Sequence, residues 1–115
     1  MKNKTQLKRT LAKSIRPIRK LSVSAWADKF RQLPSDSAEP GQWHTSRVEY
    51  MREVMDAFTD ERIHRVAVKS AAQVAKSECL LNIVGRFAHL DPCTLMIIQP
   101  SLELAQDFQK AACKE

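Results

Sequence analysis

The chain has 115 residues, 43% of them hydrophobic and 28% charged, with a formal net charge of +6. That length holds one small domain and not two, and no apolar run approaches the roughly 20 residues of a membrane-spanning helix. The basic N-terminus lacks the apolar centre of a signal peptide, so the expected location is cytoplasmic.

The charge is concentrated at one end. Residues 1–27 carry eight basic side chains and no acidic one, whereas the remainder has 11 basic and 13 acidic residues. Residues 1–21 read as a basic flexible tail, interrupted by Pro17 and without a sustained apolar face. Two readings of Lys8, Arg9, Lys13, Arg16, Arg19 and Lys20 stay open: a solvated leader, or a segment drawn to DNA or another acidic partner by counterion release. No aromatic precedes Trp26, which argues against a stacking platform for single strands.

The first convincing element is SVSAWADKF, where Ser22 or Ser24 can cap a helix and Trp26 and Phe30 share a face. Residues 22–45 therefore read as a helix followed by a Pro- and Gly-containing linker, PSDSAEPGQWHT. Ser46 and Glu49 fit a capping box for a helix over about 47–58, carrying Tyr50, Met51, Val54, Met55 and Phe58. The β-branched run 63–69 and the apolar run 93–99 predict two buried strands. Between them, residues 76–90 carry a helical stripe of Leu80, Leu81, Val84, Phe87 and Ala88, stopped by Asp91-Pro92. Ser101 can cap a last helix bearing Leu104, Ala105, Phe108 and Ala112. Strand–helix–strand over 63–99 makes a βαβ unit with a right-handed crossover.

Cys79, Cys93 and Cys113 are too scattered for a disulfide framework or a zinc pattern, and so are His44, His64 and His89. Cys79 and Cys93 are expected in the core, and Cys113 at the surface.

The segment between the first predicted strand and its helix, Ser70-Ala71-Ala72-Gln73-Val74-Ala75-Lys76-Ser77, has the order of a phosphate-binding loop. Such a loop curls backbone N–H groups round phosphate oxygens at a helix N-terminus. Lysine and the hydroxyl are present, but Ser70 and Ala75 fill the two glycine positions. Glycine before the lysine permits positive φ and close approach. An ordinary helix start with Lys-Ser is the alternative on spelling alone.

LSVSAWADKFRQL, SAEPGQWHTSRVEYMREVMDAF, VAVKSAAQVAKSECLLNIVGRF and DPCTLMIIQPSLELAQDFQK together resemble the large subunit of lambda-type tailed-phage terminases over about residues 16–110. These are ATP-driven DNA-packaging motors with an N-terminal ATPase domain and a C-terminal nuclease domain. Their loop reads like K-S-x-Q-V-G-K-[ST]-E, matched here by Gln73, Val74, Lys76, Ser77 and Glu78, with Ala75 in place of glycine and one extra alanine. The resemblance implies ATP and Mg2+ as cofactors, with Lys76 at the β/γ-phosphates and Ser77 on magnesium. It implies that Tyr50 lies at the position associated with adenine, although Glu49 stands where the family usually has proline. A core role for Tyr50 is the alternative. Gln99-Pro100 matches a motif at the end of the second strand.

The implied fold is α/β: a partial P-loop NTPase-like βαβ unit with preceding helices, occupying residues 46–115 and truncated before most of its sheet. The family's second acidic motif and its nuclease carboxylates find no counterpart, so independent ATP hydrolysis and DNA cleavage are not expected. The implied partners are DNA, the small terminase subunit and the prohead portal, in the cytoplasm of a bacterial host and with no membrane. Two further readings remain: a non-enzymatic module binding DNA or the small subunit, and a non-functional prophage remnant. With two strands burying little, folding in isolation is expected to be weak.

Overall fold

A computed structural model of the protein describes Gln6, Lys8, Thr10, Leu11, Ser14 and residues 20–113. The first five are helical and exposed, with the Thr10 and Ser14 hydroxyls donating to the carbonyls of Gln6 and Thr10.

Helix α1, Val23–Phe30, begins at the expected cap: Ser22 is extended and its hydroxyl accepts from the Ala25 N–H. A second acceptor comes from far along the chain. Asp56 takes the Ser24 N–H at 3.0 Å and the Ser24 hydroxyl at 2.8 Å, setting a carboxylate at the positive end of the helix. Beyond α1, strand β1, Gln32–Leu33, pairs antiparallel with β2, Gly41–Gln42. The return needs Gly41, whose φ of +112° side chains rarely adopt. The stretch read as a linker thus closes a hairpin arm and delivers Trp43 into the core.

A 3-10 helix, Thr45–Met51, runs into helix α2, Arg52–Ala57. This corrects the expected single helix over 47–58 with its Ser46/Glu49 capping box. The cap position is His44, without a side-chain bond, and the turn kinks at Val48. Two stronger partners explain the change. Asp28 accepts the Thr45 N–H at 2.6 Å, and Glu49 is held by Arg52 at 2.6 Å. Both Glu49 carboxylate oxygens are thus taken by Arg52 and none is left to reach back to Ser46, while Asp28 starts the turn one residue earlier, at Thr45. The Thr45 hydroxyl accepts the Trp43 indole N–H at 3.1 Å, which fixes the start of the turn.

Helix α3, Lys76–Leu90, has the expected limits but a rotated face. Cys79, Leu81, Asn82, Ile83 and Arg86 are buried, while Leu80 and Ala88 are exposed. Two of the buried residues are polar because partners wait for them. Arg86 donates to the Leu21 carbonyl at 3.1 Å, and Asn82 faces Met55 and Arg31. At Gly85 a Cβ would meet the Trp26 ring at 2.5 Å, so the indole lies directly on the helix backbone. The same indole donates to His89 Nδ1 at 3.0 Å. The core therefore has two parts. Val23, Met51, Met55, Cys79 and Ile83 form one, and Trp26, Ala27 and Trp43 form the other.

The two predicted strands are not formed. The sheet among the described residues is the short β1–β2 pair, and residues 63–70 and 92–99 carry no ladder. The molecule is a mixed helical fold with a small two-stranded sheet, which agrees with α/β only at that coarse level. Met96 and Ile98 are each 83% exposed, and Cys93, expected in the core, is exposed with them. The reason is geometric: a strand satisfies its backbone only through neighbours, and a sheet of two strands is marginal. Helix α4, Leu102–Cys113, is capped by Ser101 as expected, but buries no residue. Among the described residues no helix is long and apolar enough to cross a membrane.

Candidate functional site

Residues 72–75 form a turn and a bend that open directly into α3. Gln73 takes φ 56° and Ala75 φ 60°, ψ 22°, both left-handed. Alanine thus adopts the conformation for which the phosphate-loop pattern uses glycine, at about 1–2 kcal/mol. The conformation is supported from one side: the Ala75 carbonyl accepts the Cys79 N–H at 3.0 Å, closing the first turn of α3.

Gln73, Val74, Ala75, Lys76, Ser77 and Glu78 line a concavity of about 230 Å³ at the start of that helix. Lys76 and Ser77 are exposed. An ammonium, a hydroxyl and the positive end of a 15-residue helix suit a phosphate group. The donor set therefore fits nucleotide phosphates. Magnesium fits less fully: among the described residues no group of three or more His, Cys, Asp or Glu could hold a metal ion, leaving Ser77 as the hydroxyl available at the loop.

Two predicted site residues lie outside this concavity. Ser70 is exposed upstream of it, and Tyr50 is 62% exposed on the 3-10 helix, which also rules out the core role. A second cleft of about 760 Å³ adjoins the loop instead, sharing Ala75 and Glu78 with the first concavity. Its far wall holds Trp43, His44, Ser46, Arg47 and Val48. At its rim Arg47 donates to Glu39 at 2.9 Å and holds that carboxyl below its usual pKa. None of these residues is marked as a site residue by the sequence. The signal was present in Trp43, a lone tryptophan in a polar segment.

Glu78 is engaged from the opposite side. Arg31, 3% exposed, donates through Nη2 to Glu78 Oε2 at 2.7 Å and through Nη1 to the Glu78 carbonyl at 3.3 Å. The same guanidinium donates to Asn82 Oδ1 and lies 5.9 Å from the Trp43 ring centre. Next along α3, burial pushes the Cys79 thiol up to about 11, and the Glu78 carboxylate adds to the rise. Cys79 is therefore a neutral packing residue at physiological pH.

Of the basic side chains expected to meet nucleic acid, Lys8 and Lys20 are exposed. Arg9, Lys13, Arg16 and Arg19 lie outside the described residues.

The family described as phage terminase large subunit gpA, ATPase domain, matches residues 37–114. The large terminase subunit of Escherichia phage lambda is 31% identical over 86 residues, which is 74% of this chain and 13% of that protein. The chain thus spans about an eighth of that relative's length. No solved structure matches. The matched segment contains β2, α2, the left-handed loop and α3, and on that match the chain belongs to the phage terminase large subunit gpA ATPase-domain family.

Proposed function

We propose that residues 70–77 are the phosphate-binding part of a terminase-type ATP site, and that the chain contributes to a viral DNA-packaging motor. The observation that carries this reading is Ala75. It holds the left-handed conformation immediately before Lys76-Ser77, at the head of a 15-residue helix, inside the segment matched by an ATPase-domain family. On this reading Lys76 neutralises the terminal phosphates, and Ser77 supplies one oxygen to magnesium. The N–H groups from Val74 to Ser77 donate to phosphate oxygens. A bound nucleotide would bring the phosphoanhydride whose cleavage drives packaging. The nucleoside would lie in the adjoining cleft beside His44 and Val48.

Hydrolysis also requires a carboxylate to hold magnesium and another to orient water. The carboxylate at the concavity, Glu78, is occupied by Arg31. The chain alone is therefore a nucleotide-binding element without turnover of its own. We further propose the three-part organisation of a basic tail over 1–21, a helix with its hairpin over 22–45, and the ATPase-related part over 46–115. In that scheme the tail contacts DNA or the small terminase subunit.

Equilibrium binding of ATP with Mg2+ tests the reading. Saturable binding is expected, weakened at least tenfold by Lys76→Ala. Identical affinity of the two proteins contradicts it, and turnover by the wild-type chain that Lys76→Ala abolishes contradicts the absence of hydrolysis.

A further inference from the structure

Glu78 poses an electrostatic problem. It lines the concavity in which the proposed function places phosphate, and its side chain is 41% exposed there. A free carboxylate in that concavity repels an anionic ligand. The chain meets this with a residue 47 positions earlier, at the end of α1.

Arg31 is buried, and its guanidinium reaches α3 at more than one point. One nitrogen reaches the Glu78 carboxylate at 2.7 Å, and the other reaches the Glu78 backbone carbonyl at 3.3 Å and Asn82 Oδ1 on the next turn. Trp43 flanks the same guanidinium and also lines the adjoining cleft. The grip therefore fixes backbone and side chain of the residue two after Lys76, and joins the loop to α1 and the hairpin arm. The other side of the loop offers no such hold, because residues 63–70 carry no ladder.

We propose that Arg31 is a positioning residue for the phosphate site: it draws the Glu78 carboxylate away from the bound anion, cancels its charge, and holds the first turn of α3 in the orientation that presents Lys76 and Ser77. This rests on the phosphate-site reading. It predicts that Glu78 serves as the handle for Arg31 and makes no contact with the ligand.

The test measures affinity for inorganic pyrophosphate by titration, following the amide signals of residues 73–78, at low and moderate salt. Arg31→Met should weaken binding about tenfold by releasing the carboxylate towards the anion. Adding Glu78→Gln to that variant should recover most of the loss, whereas Glu78→Gln alone should stay within about threefold of wild type, since the amide oxygen still accepts from Arg31. A merely structural Arg31 would give a double variant as weak as Arg31→Met, or weaker, and that result overturns the proposal, as does unchanged affinity in Arg31→Met. Should Arg31→Met fail to fold, Arg31→Lys decides. It keeps the charge but loses the fork, so about a threefold loss is expected and unchanged affinity overturns the proposal. A wild-type chain that binds no pyrophosphate removes the phosphate-site reading and this inference together. Binding with no effect of Arg31 removes the inference alone.

Discussion

The helical layer and the two apolar runs beside α3 are built from similar residues and end in opposite states. Val23, Met55 and Ile83 are buried, whereas Met96 and Ile98 lie almost wholly in solvent. The difference follows from where each segment finds its hydrogen bonds. A helix satisfies its backbone internally and needs a neighbour only for its apolar face, which α1, α2 and α3 provide for one another. An extended run must borrow both hydrogen bonds and cover from flanking strands. The lesson for the candidate site is one of asymmetry: the loop before α3 is anchored through α3 and Arg31, and carries no ladder on the side of residues 63–70.

That contrast can be broken first where packing is tightest. Trp26→Ala should cost about 3–5 kcal/mol in denaturant unfolding, because the indole fills the notch at Gly85 and bonds His89. A loss under about 1 kcal/mol would mean the layer is loosely packed. Gly85→Ala should destabilise by about 1–3 kcal/mol, since its methyl would enter the Trp26 ring. Helix propensity alone predicts a gain of about 1 kcal/mol, so the sign of the change separates the two effects. Ala75→Gly should stabilise by about 1 kcal/mol by relieving the left-handed alanine, and should tighten nucleotide binding; a destabilisation would show that the loop leaves this conformation in solution. Ile98→Ser should change stability by no more than about 0.5 kcal/mol, and a larger loss would place residues 93–99 in a hidden core.

The cysteines sharpen the same comparison. Cys93 and Cys113, both exposed, should react promptly with a thiol reagent at neutral pH, while buried Cys79 should react only on unfolding. Prompt reaction at all three would contradict the packing of α3. The raised Cys79 pKa also sets a sign. Its neutral form is favoured in the fold, so its contribution is complete below the ordinary thiol pKa and is lost as pH climbs through about 11. Stability measured across that alkaline window should fall less in Cys79→Ala than in the wild type.

What was legible in the sequence was local. Ser22 and Ser101 cap their helices, and α3 starts at Lys76 and ends before Asp91-Pro92. The turn before α3 could be placed because turn, Lys76 and apolar helix are adjacent in the chain. The illegible parts depend on distant partners. Arg31 carries no local signal, and its role depends on Glu78 and Asn82 being brought to it. The Ser46/Glu49 box is correct in spelling but loses its Glu49 carboxylate to Arg52. The stripe on α3 rotates because Asn82 and Arg86 have partners waiting inside. The strand-like runs carry the right residues, but strand formation is decided by neighbours that neither run's sequence specifies.

Amide hydrogen exchange along the purified chain tests the asymmetry most directly. The account predicts strong protection within 24–30 and 79–90, weak protection at 71–76 that rises on adding nucleotide, and near-intrinsic exchange over 63–70 and 93–99. Protection of the two apolar runs equal to that of α3 would contradict it, because the loop would then be held from both sides.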